Sequence, residues 1–324
     1  MRARGPLLQL GGGTFITDGG METSLIFHAG FDLPLFASFV LLEDESGRRA
    51  LREYLDHFVR IAREHDVGLV LDTPTWRASA DWGAQLGYTP EALAEVNRNG
   101  VAFVERVRAD AGDGMTIVLS GAIGPRRDAY LADDRMSADE AEGYHHAQLA
   151  TLADTSVDLA TAYTLTNASE AIGIVRAAKS VGLPVAIAFT VETDGRLPDG
   201  QPLREAIDEV DTATDRGAAY FLINCAHPSH FANVLPALGA TGERIHGLRA
   251  NASAKSHAEL DESETLDDGD PEELAADYAS VRRWLPSLNV VGGCCGTDHR
   301  HVAAICGTWT GGITSSRAKP GAAG

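Results

Sequence analysis

The sequence predicts a single (β/α)8 TIM barrel. Eight short β-rich runs alternate with helix-compatible segments along 324 residues. Each run is a near-continuous apolar stretch, as parallel strands covered on both faces require. No internal repeat divides the chain. One catalytic barrel domain is therefore expected over 13–307, with an N-terminal extension at 1–12 and a Gly/Ser/Ala-rich tail at 308–324 expected to be disordered. A doubly wound open sheet is the rival reading of the same alternation.

The strands are expected, in order, at 14–18 (TFITD), 68–73 (GLVLDT), 116–121 (TIVLSG), 157–164 (VDLATAYT), 183–190 (LPVAIAFT), 218–224 (AAYFLIN), 244–250 (RIHGLRA) and 288–293 (LNVVGG). Helices are expected between them at 48–65, 90–110, 137–155, 167–180, 202–213, 228–238 and 271–285. Ser137 precedes Glu140, and Asn167 precedes Glu170, at the spacing of a capping box. Pro90, Pro202 and Pro271 stand where a first helical turn tolerates a missing N–H. The acidic stretch 252–270 (ASAKSHAELDESETLDDGD) is long for a loop after the seventh strand. It reads as a flap over the rim or as an inert surface loop.

A net charge of −19 argues against nucleic acid or an anionic membrane as partner, since both call for a basic face. The N-terminal apolar run is too short for a signal peptide, and no run reaches membrane-spanning length. A cytoplasmic protein without a disulfide scaffold is expected, because the chain has four cysteines and no export signal.

Three of those cysteines converge. Cys225 follows the sixth strand directly, and Cys294 and Cys295 follow the eighth. In a barrel all strand C-termini open onto one rim, where the chemistry sits. Gly292, Gly293 and Gly296 permit the sharp turn that lets adjacent cysteines reach one ion. Three thiolates suit Zn2+, and three protein ligands leave a position open, as in catalytic zinc sites. A free thiol has a pKa near ~8.5, and a metal deprotonates it outright. An all-sulfur site therefore suits holding an incoming thiol as its thiolate. Buried structural thiols or a vicinal disulfide are the alternative. His227, His299 and His301 are candidate fourth ligands or ordinary surface histidines. Cys306 reads as a buried small hydrophobe.

At these residues the chain resembles the homocysteine S-methyltransferase family, through GGCCGT (292–297) and INCAHP (223–228). DGGMETSL (18–25), GAIGP (121–125) and TLTNASEA extend the likeness over nearly the whole chain. The resemblance implies a barrel that moves a methyl group from a donor to a zinc-bound thiolate, with Cys225, Cys294 and Cys295 as ligands. It further implies that Asp18, with Gly19 beside it, helps hold the acceptor's ammonium, and that Asn224 shapes the site or satisfies backbone groups.

The chain also departs from the family. Tyr163 stands where relatives carry the Glu that grips the ammonium, and Pro74 and Trp76 replace an Asn and another aromatic. ANAS (250–253) stands where P-N-A/S-G is usual. Glu22 and Glu192 both follow strands at the rim, as substitutes for the missing carboxylate or as solvated loop acids. The expected activity is methyl transfer from a small sulfonium donor, of the S-methylmethionine or S-adenosylmethionine type, to a thiol, with homocysteine giving methionine. A betaine donor is the alternative that Trp76 or Trp82 would serve by facing a quaternary ammonium. The same chemistry on another thiol or selenol, and a catalytically inactive zinc-binding barrel, are the other readings.

Overall fold

The computed structural model describes residues 4–127, 135–263 and 265–314. Eight parallel strands close a barrel in chain order: β1 (Phe15–Ile16), β2 (Gly68–Asp72), β3 (Ile117–Ile123), β4 (Leu159–Leu165), β5 (Val185–Phe189), β6 (Phe221–Asn224), β7 (Ile245–Ala250) and β8 (Val290–Gly293). Closure is decided at β1, which pairs with β2 on one side and β8 on the other. That excludes the open sheet. Phe15, Val70, Val118, Leu159, Ala186 and Leu222 cluster apart from the larger core, which joins strand residues such as Leu71 and Ile187 to helix residues such as Phe58 and Val104.

The helices follow the strands where the capping signals placed them. Glu45–Glu64 starts three residues earlier than expected, because Asp44 caps it by accepting from the Gly47 amide. Ala138–Ala153 carries the full capping box of Ser137 and Glu140. At Ala168–Val181 only half of the box forms. Asn167 accepts from the Glu170 amide, but the Glu170 carboxylate turns inward to the Arg126 amide and His145. The helix expected over 228–238 is only Pro228–Phe231 followed by 3-10 turns, since Pro236 has no N–H to continue it.

Both ends of the described chain pack against the barrel. The extension packs under the barrel as a floor: Gln9 is fully buried, and the Asn289 amide donates to the Gln9 and Gly13 carbonyls at 2.6 and 2.7 Å. The last helix, His299–Thr314, runs past the boundary expected at 307. Trp309 anchors it, 2% exposed, under the Arg282 guanidinium at 4.2 Å. The rest of the expected tail, 315–324, lies outside the described residues. No described helix is long and apolar enough to cross a membrane.

Candidate active site

The C-terminal ends of β6 and β8 bring the three cysteines together. Cys225 leaves β6 with a left-handed backbone (φ 57°), a conformation disfavoured for a residue with a Cβ. The surroundings hold it there. Its amide donates to the Arg249 carbonyl at 3.0 Å. Its own carbonyl lies 2.7 Å from His257 Nε2 and accepts from the Asn251 amide at 3.1 Å. Across the rim, Gly293 permits close packing, because a Cβ there would lie 1.9 Å from Thr297 Oγ1. Gly296 then reverses the chain at φ 78°.

The sulfurs of Cys225, Cys294 and Cys295 all lie within 4.8 Å of one another, with Cys225 and Cys295 3.6 Å apart. A tetrahedral ion with metal–sulfur bonds of about 2.3 Å spaces its sulfurs about 3.8 Å apart, so this set fits a metal. Hydrogen bonds from Cys225 and Cys295 hold the Cys294 thiol well below the ordinary thiol range despite its burial. The same contacts, from Cys294 and Cys295, push Cys225 well above it. The cluster therefore stabilises thiolate charge at Cys294. All four cysteines are free, with no vicinal disulfide, and Cys306 is a buried core residue. No histidine joins the cluster among the described residues. His227 contacts Ser229, His299 stacks on His57 at 4.1 Å, and His301 turns to Asp298 and the Asp268 carbonyl.

Above the sulfurs opens a cleft of about 340 Å³ lined by Asp18, Gly19, Glu22, Trp76, Tyr163, Asn224 and the three cysteines. Of the expected site residues only Glu192 is elsewhere, its carboxylate 3.1 Å from His257 Nδ1. Asn224 stands between Thr164 and the cysteine cluster. Its side chain braces Thr164 through bonds of 2.9 Å to the amide and the hydroxyl, and its Nδ2 reaches to 3.9 Å from Cys294 Sγ. Trp76 and Trp82 do not stand open as a cage for a quaternary ammonium. The Arg77 guanidinium covers both rings, at 4.1 and 3.7 Å. The acidic stretch reaches the cleft through Leu260, Ser263, Thr265, Leu266 and Asp267.

Sequence reasoning missed the charged lattice in the cleft floor. Arg249, at the end of β7, is 7% exposed and donates to Asp18 Oδ1 at 2.5 Å, to Asp72 Oδ2 at 2.6 Å and to the Gly293 carbonyl at 2.9 Å. Asp18 also accepts from the Tyr54 hydroxyl at 3.2 Å. The Tyr163 hydroxyl donates to Asp72 Oδ2 at 2.7 Å, with the Arg249 guanidinium 4.7 Å over its ring. Tyr163 is thus a partner of the lattice and not a lone neutral substitute for a carboxylate. Burial raises Asp18 to about 7, with Arg249 opposing and Asp72 and Glu22 adding to the rise. One signal for the lattice was present. Asp72 and Arg249 are charged residues at the rim ends of apolar strands, where barrels keep their chemistry.

The family model of homocysteine S-methyltransferase matches residues 15–308. The homocysteine S-methyltransferase 1 of Brassica oleracea var. italica is 23% identical, over 92% of this chain and 94% of that protein. Among solved structures, the metallated form of the homocysteine methyltransferase MmuM from Escherichia coli is similar, with a TM-score of 0.71 and 21% identity. It is covered over 95% of its length, and this chain over 90%. The oxidized form of that protein also has a TM-score of 0.71, at 20% identity over 90% of this chain and 94% of that one. These structural likenesses are likenesses of fold.

Proposed function

Since the chain belongs to the homocysteine S-methyltransferase family and is a methyltransferase, we propose that it uses zinc held by Cys225, Cys294 and Cys295 to methylate a thiol. Homocysteine, giving methionine, is the leading acceptor, and a small sulfonium of the S-methylmethionine or S-adenosylmethionine type is the donor. The observation that carries this reading is the convergence of three sulfurs at the floor of an acid-lined cleft. Zinc bound there supplies the Lewis acidity that keeps an incoming thiol deprotonated at neutral pH. The chain's own residues do the rest. Four carboxylates (Asp18, Glu22, Asp72 and Asp267) and two guanidinium groups (Arg77 and Arg249) line the cleft, an acidic balance that suits a cationic donor. The thiolate attacks the methyl carbon in line. The new S–CH3 bond forms as the donor's bond breaks, and the electron pair stays on the donor sulfur as a neutral thioether.

Tyr163, committed to Asp72, favours a second reading, the same transfer to a thiol or selenol other than homocysteine. Mass spectrometry of products from a matrix of thiols and methyl donors tests both. A methylated product from homocysteine with a sulfonium is expected. Methyl transfer from no donor to any thiol would leave a zinc-binding barrel without catalysis.

The stretch 252–270 acts as a flap in this reading, and His257 is where it meets the metal site. An outer partner of a metal ligand is typically worth 10–100-fold in affinity. His257→Ala is therefore expected to weaken zinc binding about 10-fold, measured by competition with a chromophoric chelator, with methyl transfer recovering at saturating zinc. Unchanged affinity would reduce His257 to a packing residue.

A further inference from the structure

The carboxylates around the cleft differ in one respect, the charge of their partners. Asp18 and Asp72 share the Arg249 guanidinium. Asp267 accepts from the Ser253 hydroxyl at 2.8 Å and pairs with the Lys255 ammonium at 3.3 Å. Glu192 faces His257 and does not line the cleft. Glu22 lines it half-buried and takes hydrogen bonds from the Ser38 hydroxyl, at 2.8 Å, and from its own amide. Among the described residues no Lys, Arg or His lies within ion-pair distance of it. A carboxylate removed from water without a counter-ion is unfavourable, and a bound cation relieves that cost.

The position of Glu22 says which cation. The loop that carries it packs on the cysteine turn: a Cβ on Gly20 would lie 2.6 Å from the Cys294 carbonyl, and the Gly296 amide donates to Thr23 Oγ1 at 3.2 Å. Glu22 and the three cysteines line the same cleft. A group on the loop that packs against the cysteine turn meets the acceptor, whose own sulfur must sit among the cysteine sulfurs. The donor has to approach in line from the far side of that sulfur.

We propose that Glu22 is the specificity-determining carboxylate of the acceptor site, the counter-ion for the ammonium of an amino-acid thiol. The proposal rests on the thiol-methylation reading and names its acceptor class. It also gives the cleft an ammonium partner that neither Tyr163 nor the Arg249-bound Asp18 provides.

Steady-state kinetics of the zinc enzyme with homocysteine and with its des-amino analogue, 4-sulfanylbutanoate, test it in wild type, Glu22→Gln and Glu22→Asp. A charge-assisted hydrogen bond in such a site corresponds to about 10–100-fold. Wild type is expected to prefer homocysteine by that factor, through KM. Glu22→Gln is expected to raise KM for homocysteine about 10–100-fold while leaving KM for the analogue and the zinc content unchanged. Glu22→Asp should keep part of the preference. Equal use of both thiols by wild type overturns the proposal, as does a Glu22→Gln effect that falls on the donor's KM or equally on both thiols. If wild type methylates neither thiol with any sulfonium, the reading of homocysteine as the acceptor itself fails. That result is distinct from a lost preference.

Discussion

Cys294→Ser protein is expected to purify folded, without its metal, and with methyl transfer lost. Cys294 is the thiol that the other two stabilise as a thiolate, and its neighbours Gly293 and Cys295 belong to the same turn. A serine hydroxyl keeps its proton at neutral pH and is a poor ligand for a thiophilic ion. Outer partners alone are worth 10–100-fold in metal affinity, so loss of an inner ligand should cost at least about 100-fold. Elemental analysis and product mass spectrometry read both effects. Cys306→Ala, in the core and outside the cluster, should keep its zinc. Full zinc retention in the Cys294→Ser protein would remove the three-sulfur site. The fold should survive in either variant, because the barrel's cores are apolar and the cysteines sit at the rim.

The largest effect on stability is expected from Arg249→Met. The guanidinium is the only cation paired with Asp18 and Asp72 among the described residues, and both acids are buried. Removing one side of a buried ion pair costs about 3–5 kcal/mol, a large share of the 5–15 kcal/mol by which a domain is stable. Denaturant unfolding should show that loss, and Arg249→Met combined with Asp18→Asn and Asp72→Asn should recover much of it. The pH dependence has a definite sign. Asp18 is raised to about 7 from 3.8, so the stability it adds is fully present below 3.8 and is lost as pH rises through about 7. Without Arg249 the carboxylates are charged at greater cost, and the deficit of the variant should grow with pH over that window. A single-variant loss below about 1 kcal/mol would mean the lattice is solvated rather than buried.

The barrel was legible because its signals are local. Parallel strands buried on both faces must be apolar runs, and capping residues mark helix starts such as Ser137. The cysteines were legible because strand order places β6 and β8 on one rim. The Arg249 lattice was not, since Asp72 and Arg249 are 177 residues apart and neither sits in a pattern that names its partner. The role expected of Asp18 came from the family resemblance, which says nothing of the Arg249 guanidinium that holds its Oδ1. The Gly/Ser/Ala-rich composition after residue 307 suggests disorder, but the last helix, with Trp309 buried in it, runs to Thr314. The helix expected over 228–238 ends at Phe231, and Pro236, with no N–H to donate, lies in a 3-10 turn.

The central claim is that three cysteine sulfurs hold a zinc whose remaining position takes the acceptor's sulfur. X-ray absorption at the zinc edge, on the purified enzyme before and after addition of homocysteine without donor, tests it most directly. The account predicts three sulfurs and one lighter ligand at first, then four sulfurs at about 2.3 Å once the thiol is present. Fewer than three sulfurs at the start, or a ligand shell that homocysteine and every other thiol tested leave unchanged, would contradict it.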